Sequence, residues 1–381
     1  MKDPRSPLVT KPHNWGIDFL RIVAAFYVVI LHTIKNGGIL NAVTPHSYQF
    51  LVGQILNTWT YCAVNIFGII SGYVGYTKTA KPFKPENYLT LWLEVVFYGV
   101  TVTLGCYLLI PSSRTEFSLL PMFFPLSNNL YWYFTAFTLL FCFTPLINSA
   151  VRNCSQNYLI FLFLLILLVF SPWETQKDYF FANRGYSFLW LLILYLIGAI
   201  LKKMGWADKV SPFVAFLCLI AVNLLSVLLC CRYSRLCFLS DYIDPALYKK
   251  YTYPGYLLSA ILHLLLFANL KPGRLLQKLI RFCAPAAFAV YIVNVNPCIW
   301  DYSNNAFHTW AGSSPLGMLA RILIFAFVFI AITTFLDALR RKLFFLLRIQ
   351  SLLQWLCSFI QKNGTPFPTT PSNQQNTNNR V

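Results

Sequence analysis

IDFLRIVAAFYVVILHT, residues 17–33, lies in an apolar stretch that Trp15 opens and Ile34 closes. At 1.5 Å per residue, about 20 residues of helix reach the roughly 30 Å needed to cross the hydrocarbon core of a bilayer. The segment reads as the first transmembrane helix. Three ionisable residues sit inside it: Asp18, Arg21 and His32. Charged groups in a span are costly and by default mark a functional site facing the bundle interior. From Arg21 to His32 the helix turns about 1,100°, only about 20° past three full turns. The two side chains therefore share a face about 16 Å apart, with Ala25 and Val28 forming an apolar track between them.

The rest of the chain repeats the membrane signal. Of its 381 residues, 57% are hydrophobic and only 11% charged, too few charges to solvate a globular surface. Further apolar segments lie near 50–74, 89–110, 129–150, 157–173, 186–201, 211–231, 253–270, 279–300 and 315–336, which predicts an all-α bundle of about ten transmembrane helices. The net charge of +18 does not call for nucleic acid, because Lys and Arg gather in short loops. With the N-terminus inside, 20 of them fall on the cytoplasmic side and 8 outside, so both termini are expected in the cytoplasm. No cleavable signal is evident, and the eleven Cys read as buried membrane residues without metal or disulfide spacing. The expected organisation is a cytoplasmic tail (1–14), a ten-helix domain (15–336), a basic amphipathic interfacial helix (337–362) and a disordered polar tail (363–381).

An Arg and a His at opposite ends of an apolar track suit a long cytosolic ligand with phosphates at one end and a reactive group at the other. Arg presents a planar fork of donors that matches phosphate, and His is the usual general base at neutral pH. Two blander readings stand beside this one: Arg21 pairs with Asp18 or snorkels to the interface, and His32 caps its helix among the outer headgroups.

The quoted helix resembles the opening span of acyltransferase family 3, whose hallmark is Arg, ten residues, then His. Other stretches follow in order. SGYVGY (71–76) is similar to the family's Ser-Gly-aromatic ending of the second span. NNLYWYFTAFTLLFCFTPLIN (128–148) resembles the aromatic stretch of O-acetyltransferase-like members, and FAVYIVNVNP (288–297) a pattern of Tyr-Leu-Ile-His-Asp-Asn-Pro. The resemblance implies a ten-helix fold in the bacterial plasma membrane. It implies transfer of an acetyl group from cytosolic acetyl-CoA, a substrate rather than a resident cofactor, to a hydroxyl of a carbohydrate, often lipid-linked or at the cell surface. His32 takes the catalytic position and Arg21 the donor-binding one. His32 would act as a base toward the sugar hydroxyl or would itself carry the acetyl group. Asn294 and Val295 depart from the family pattern, standing where His and Asp are more usual.

Asp18, Glu94, Asn294 and Asn296 are further candidates for the substrate cavity, with no metal expected. Glu94 would line the cavity paired with a basic residue, or lie solvated near the inner interface. Asn294 and Asn296 would orient the acceptor, or only satisfy backbone at the Pro297 break. Asn65 and Ser71 read as interhelical packing groups, His263 as a core residue, and Tyr131–Tyr133 as an aromatic belt or a sugar-stacking surface. The competing reading is a transporter or flippase for a lipid-linked saccharide. Against it, the Pro297 break has no matching twin in the first half of the chain.

Overall fold

A computed structural model describes residues 13–80, 82–110, 118–232 and 249–363. The N-terminal tail up to residue 12, the polar tail from 364 on, and the loop cations Lys2, Arg5, Lys11, Lys81, Arg114, Arg235 and Arg380 lie outside these residues. Every regular element among the described residues is helical.

The first helix, α1 (Trp15–Lys35), starts at Asn14, whose side chain accepts from the Ile17 amide, and ends at Gly38, which turns the chain at a φ of 84°. It is the hub. Leu20, Ala24, Val29 and Ile34 are buried on different sides of it. A helix apolar all round belongs inside a bundle, and here α2 (Tyr48–Thr60), α3 (Ala63–Gly75), Pro254–Ala268, Ala287–Asn294 and Pro315–Leu346 enclose it. Around this centre stand α4 (Pro85–Leu109), α5 (Trp132–Asn153), α6 (Gln156–Leu165, continued by a wide turn into Ser171–Lys177), α7 (Phe188–Met204) and α8 (Pro212–Arg232). There follow α9 (Pro254–Ala268), α10 (Arg274–Cys283), α11 (Ala287–Asn294), α12 (Pro297–Ser303), α13 (Pro315–Leu346) and α14 (Ile349–Asn363).

Among the described residues, seven helical segments are long and apolar enough to cross a membrane: Trp15–Ala42, Pro85–Leu109, Trp132–Asn153, Gln156–Lys177, Pro212–Cys230, Arg274–Asn294 and Pro315–Leu346. The other three expected spans are shorter or interrupted. The segment near 50–74 divides at Tyr61–Cys62 into α2 and α3, α7 has 17 residues, and α9 has 15. Helices α3, α7 and α9 sit in the largest apolar core, where protein rather than lipid surrounds the backbone and a break is tolerated. Glycines bring α3 and α7 together. A Cβ at Gly72 would lie 1.8 Å from the Tyr195 carbonyl oxygen, and one at Gly198 would lie 2.0 Å from that of Ile69. The Gly in SGYVGY is therefore a backbone contact point, the usual use of small residues between membrane helices.

The C-terminal region differs from the single interfacial helix expected over 337–362. Helix α13 runs unbroken to Leu346, the chain turns at Arg348 (φ 52°), and α14 docks on α4 with Thr90 donating to Gln350 at 3.0 Å. The helix continues because Asp337 and Arg340 satisfy one another inside the protein, so that charge no longer marks the end of a buried segment.

Candidate functional site

Helix α11 stops at Asn294 because Pro297 has no amide hydrogen to continue it. The chain turns through Val295, and Asn296 caps α12 by accepting from the Cys298 amide at 3.1 Å. This break leaves the Asn294 carboxamide facing His32 on α1, where its Oδ1 hydrogen-bonds the imidazole Nδ1. A carbonyl oxygen only accepts, so Nδ1 carries the proton and Nε2 keeps its lone pair. That tautomer is the one a general base needs.

Helix α12 then brings Trp300 edge-on to the imidazole, with ring centroids 5.0 Å apart. The end of α1 holds this arrangement from behind. Asn36 donates to the Trp300 carbonyl (2.9 Å) and to the Ser303 hydroxyl (2.8 Å), while the amides of Asn305 and Phe307 donate to the carbonyls of Asn36 (2.8 Å) and Gly37 (2.9 Å). His32 thus stays partly exposed, with its orientation fixed from two sides.

At the opposite end of α1, Arg21 pairs with Asp18 at 2.5 Å, and Asp18 also meets His13 at 2.6 Å. The bland reading of Arg21 as Asp18's partner is thus realised, although the Arg21 side chain remains 34% exposed. Ala25 and Val28 are buried, and Ala25 belongs to a cluster with Ala287 and Val290 of α11, so the track between Arg21 and His32 is closed.

The remaining candidates separate. Asn296 is fully buried, and its amide donates to Thr103 (3.3 Å) and Tyr131 (3.5 Å), so it fixes the break. Glu94 is not solvated: it is 8% exposed and faces Arg340 at 3.4 Å, with Oε1 lacking a hydrogen-bond partner. Arg340 is also clamped by Asp337, its Nε at 2.9 Å and Nη2 at 2.7 Å from Oδ1. Tyr98 donates to the same oxygen at 2.9 Å, and Arg341 lies 2.9 Å from Oδ2. Sequence reading missed this ionic cluster because it ended the tenth span at residue 336. The Asp337–Arg340 spacing of one helical turn was the available signal. His263 is a satisfied core residue between the Ser259 carbonyl (2.8 Å) and the Tyr27 hydroxyl (3.2 Å). Asn65 bridges helices, accepting from Trp190 and donating to the Tyr251 carbonyl, each at 2.9 Å, whereas Ser71 bonds within its own helix.

Residues 14–341 match the family model described as "Acyltransferase domain". The chain belongs to acyltransferase family 3. The match takes in α1, the α11–α12 break and the buried ionic cluster, so the family assignment rests on the whole bundle rather than on its first helix. Family membership and the apolar helices together make the protein a multi-pass membrane acyltransferase. No curated protein and no solved structure matches the chain.

Proposed function

We propose that this acyltransferase moves an acetyl group from acetyl-CoA to a hydroxyl of a carbohydrate acceptor, with His32 as its general base and Arg21 as its donor-binding residue. The observation that carries this reading is the His32–Asn294 hydrogen bond, which leaves Nε2 as a free acceptor on a fixed ring. Nε2 takes the proton of the sugar hydroxyl as its oxygen attacks the thioester carbonyl. The C–S bond breaks, and the leaving thiolate takes the proton back from the imidazolium. Asn294 keeps Nδ1–H engaged throughout and holds the ring as charge develops on it. An acetyl-histidine intermediate would use the same nitrogen as nucleophile, with the sugar oxygen attacking in a second step.

Arg21 stands about 16 Å along the helix from His32, which suits a long donor with its phosphates at one end and its reacting carbon at the other. Phosphate would compete with Asp18 for the guanidinium. The pantetheine arm must part α1 from α11 to reach His32, because Ala25 and Val28 are covered. The site is assigned to the bacterial plasma membrane with Arg21 toward the cytoplasm, the side on which acetyl-CoA is available.

The test is transfer of radiolabelled acetyl from acetyl-CoA into membrane glycans at equal expression of each variant. His32→Ala is expected to lose about 10²–10⁴-fold of the rate, the usual worth of a positioned base. Asn294→Ala is expected to lose part of that, with an unchanged KM for acetyl-CoA. Equal labelling by wild type and His32→Ala would remove the catalytic assignment, and absence of any transfer would favour a lipid-linked saccharide transporter.

A further inference from the structure

One turn beyond His32 on α1, Lys35 donates to the Tyr61 hydroxyl at 3.1 Å and sits over that ring, 4.6 Å from its centroid. Tyr61 in turn donates to the Lys249 carbonyl at 2.5 Å. Tyr61 begins an aromatic wall: Tyr251 follows at 5.1 Å, then Tyr186 at 4.8 Å, Trp132 at 4.8 Å, Tyr133 at 5.7 Å and Tyr291 at 5.8 Å. Tyr291 lies one turn before Asn294, so the wall returns to the catalytic histidine. Lys35, Trp132, Tyr133 and Tyr291 are partly exposed, and Tyr186 is 37% exposed, so this lining has an open side.

A second cation joins it. The Tyr251 amide donates to the Arg184 carbonyl at 2.9 Å, tying the Arg184 loop to the wall. That loop is built with some strain: Phe181, Asn183 and Arg184 all have positive φ (59°, 49° and 57°), a conformation that non-glycine residues rarely hold without a reason. Buried Glu174 enforces it by accepting from the Phe180 and Ala182 amides, each at 2.7 Å. Glu174 therefore shapes the loop rather than neutralising its cation. Among the described residues, no carboxylate lies within ion-pair distance of Lys35, Arg184 or Lys249. Lys250, by contrast, is buried and donates to the Thr175 carbonyl at 2.5 Å, a structural use.

Cations without an ion-pair partner among the described residues, beside an aromatic wall, form a surface for a ring compound that carries negative charge. Resting on the acyl-transfer reading above, we propose that the acceptor is an anionic saccharide bearing a carboxylate or a phosphate. Its ring lies on Trp132 and Tyr186, its charge is taken by Lys35, Arg184 and Lys249, and a hydroxyl is thereby set at His32 Nε2. Charge on the acceptor, rather than its neutral hydroxyl pattern alone, sets specificity.

The test measures binding, so it stands apart from the chemistry. The purified full chain is titrated with a tetrasaccharide alternating glucuronate and N-acetylglucosamine, with its carboxyl-reduced form, and with the reduced form phosphorylated on a primary hydroxyl. At least one acidic form is expected to bind about tenfold or more tighter than the neutral form, with an advantage that shrinks in high salt. The better acidic form distinguishes carboxylate from phosphate recognition. Lys35→Gln with Arg184→Gln should abolish the advantage, and Lys35→Arg should retain it, which controls for folding. The proposal is overturned if neither acidic form binds measurably, if the neutral form binds as well, or if the advantage survives the double substitution. His32→Ala should keep the advantage. Acid-selective binding without any acetyl transfer would sink the acyl-transfer reading while leaving an anionic saccharide site in place.

Discussion

His32 and Asn294 lie 262 positions apart, and so do not announce each other in the sequence. His32 was legible because it follows Arg21 by eleven residues in one span, the spacing of the family's opening motif, whereas His263 in another span is only a core residue. Asn294 was legible only as a polar residue before a proline, and its partner emerged when the break in α11 set the carboxamide against α1. The ionic cluster shows the converse, since Asp337 and Arg340 are close in sequence yet their burial depended on α4. Here one buried carboxylate is shared by buried Arg340, by Arg341 at the edge of the site and by a tyrosine hydroxyl. Removing one member of a buried charge set leaves the rest uncompensated, at a cost of about 3–5 kcal/mol. Asp337→Asn is therefore expected to destabilise the protein by that order, read as a lowered midpoint of thermal unfolding in detergent. Asp337→Asn with Arg340→Gln should recover part of the loss; an unchanged midpoint in the single variant would mean that the cluster contributes nothing.

Between elements, the α3–α7 seam shows how small residues set geometry. Since a Cβ at Gly72 would overlap the Tyr195 carbonyl, substitution must push the helices apart. Gly72→Leu is expected to destabilise by about 1–3 kcal/mol or more, the usual range for overpacking, and the same unfolding measurement reads it. Gly105, where an added Cβ would meet nothing, is the matched control, and Gly105→Ala should be neutral or slightly stabilising. Seven of the expected spans were legible among the described residues, because apolar length is a local signal. The interruption at Tyr61–Cys62 was not. Nothing local forbids a continuous helix there, and the break is sustained by what Tyr61 meets in α1 and near Lys249.

Across the whole molecule, the distribution of Lys and Arg predicts that Asn14 and Ile349 face the same side of the membrane and that the Arg184 loop faces the other. Single cysteines placed at Lys209 and Asn183 in a cysteine-free background test this with a membrane-impermeant thiol reagent. Asn183→Cys should label in intact cells and Lys209→Cys only after lysis. Labelling of both from outside would show that α7, which lies between them, does not cross, and the ten-span topology would give way to a smaller one.

The sequence by itself determined the membrane environment, the all-helical class, the family and the shared helix of His32 and Arg21, because each rests on composition, hydrophobic length or a motif within a single helix. Only the tertiary structure decided that Asn294 bonds His32, that Asn296 caps a break, that Glu94 faces Arg340, and that cations with no carboxylate partner among the described residues stand beside an aromatic wall. Those outcomes depend on which helix packs against which. Inside a membrane, where most helices are apolar, partner choice follows from glycine contacts and buried polar bonds that pair residues far apart in the chain.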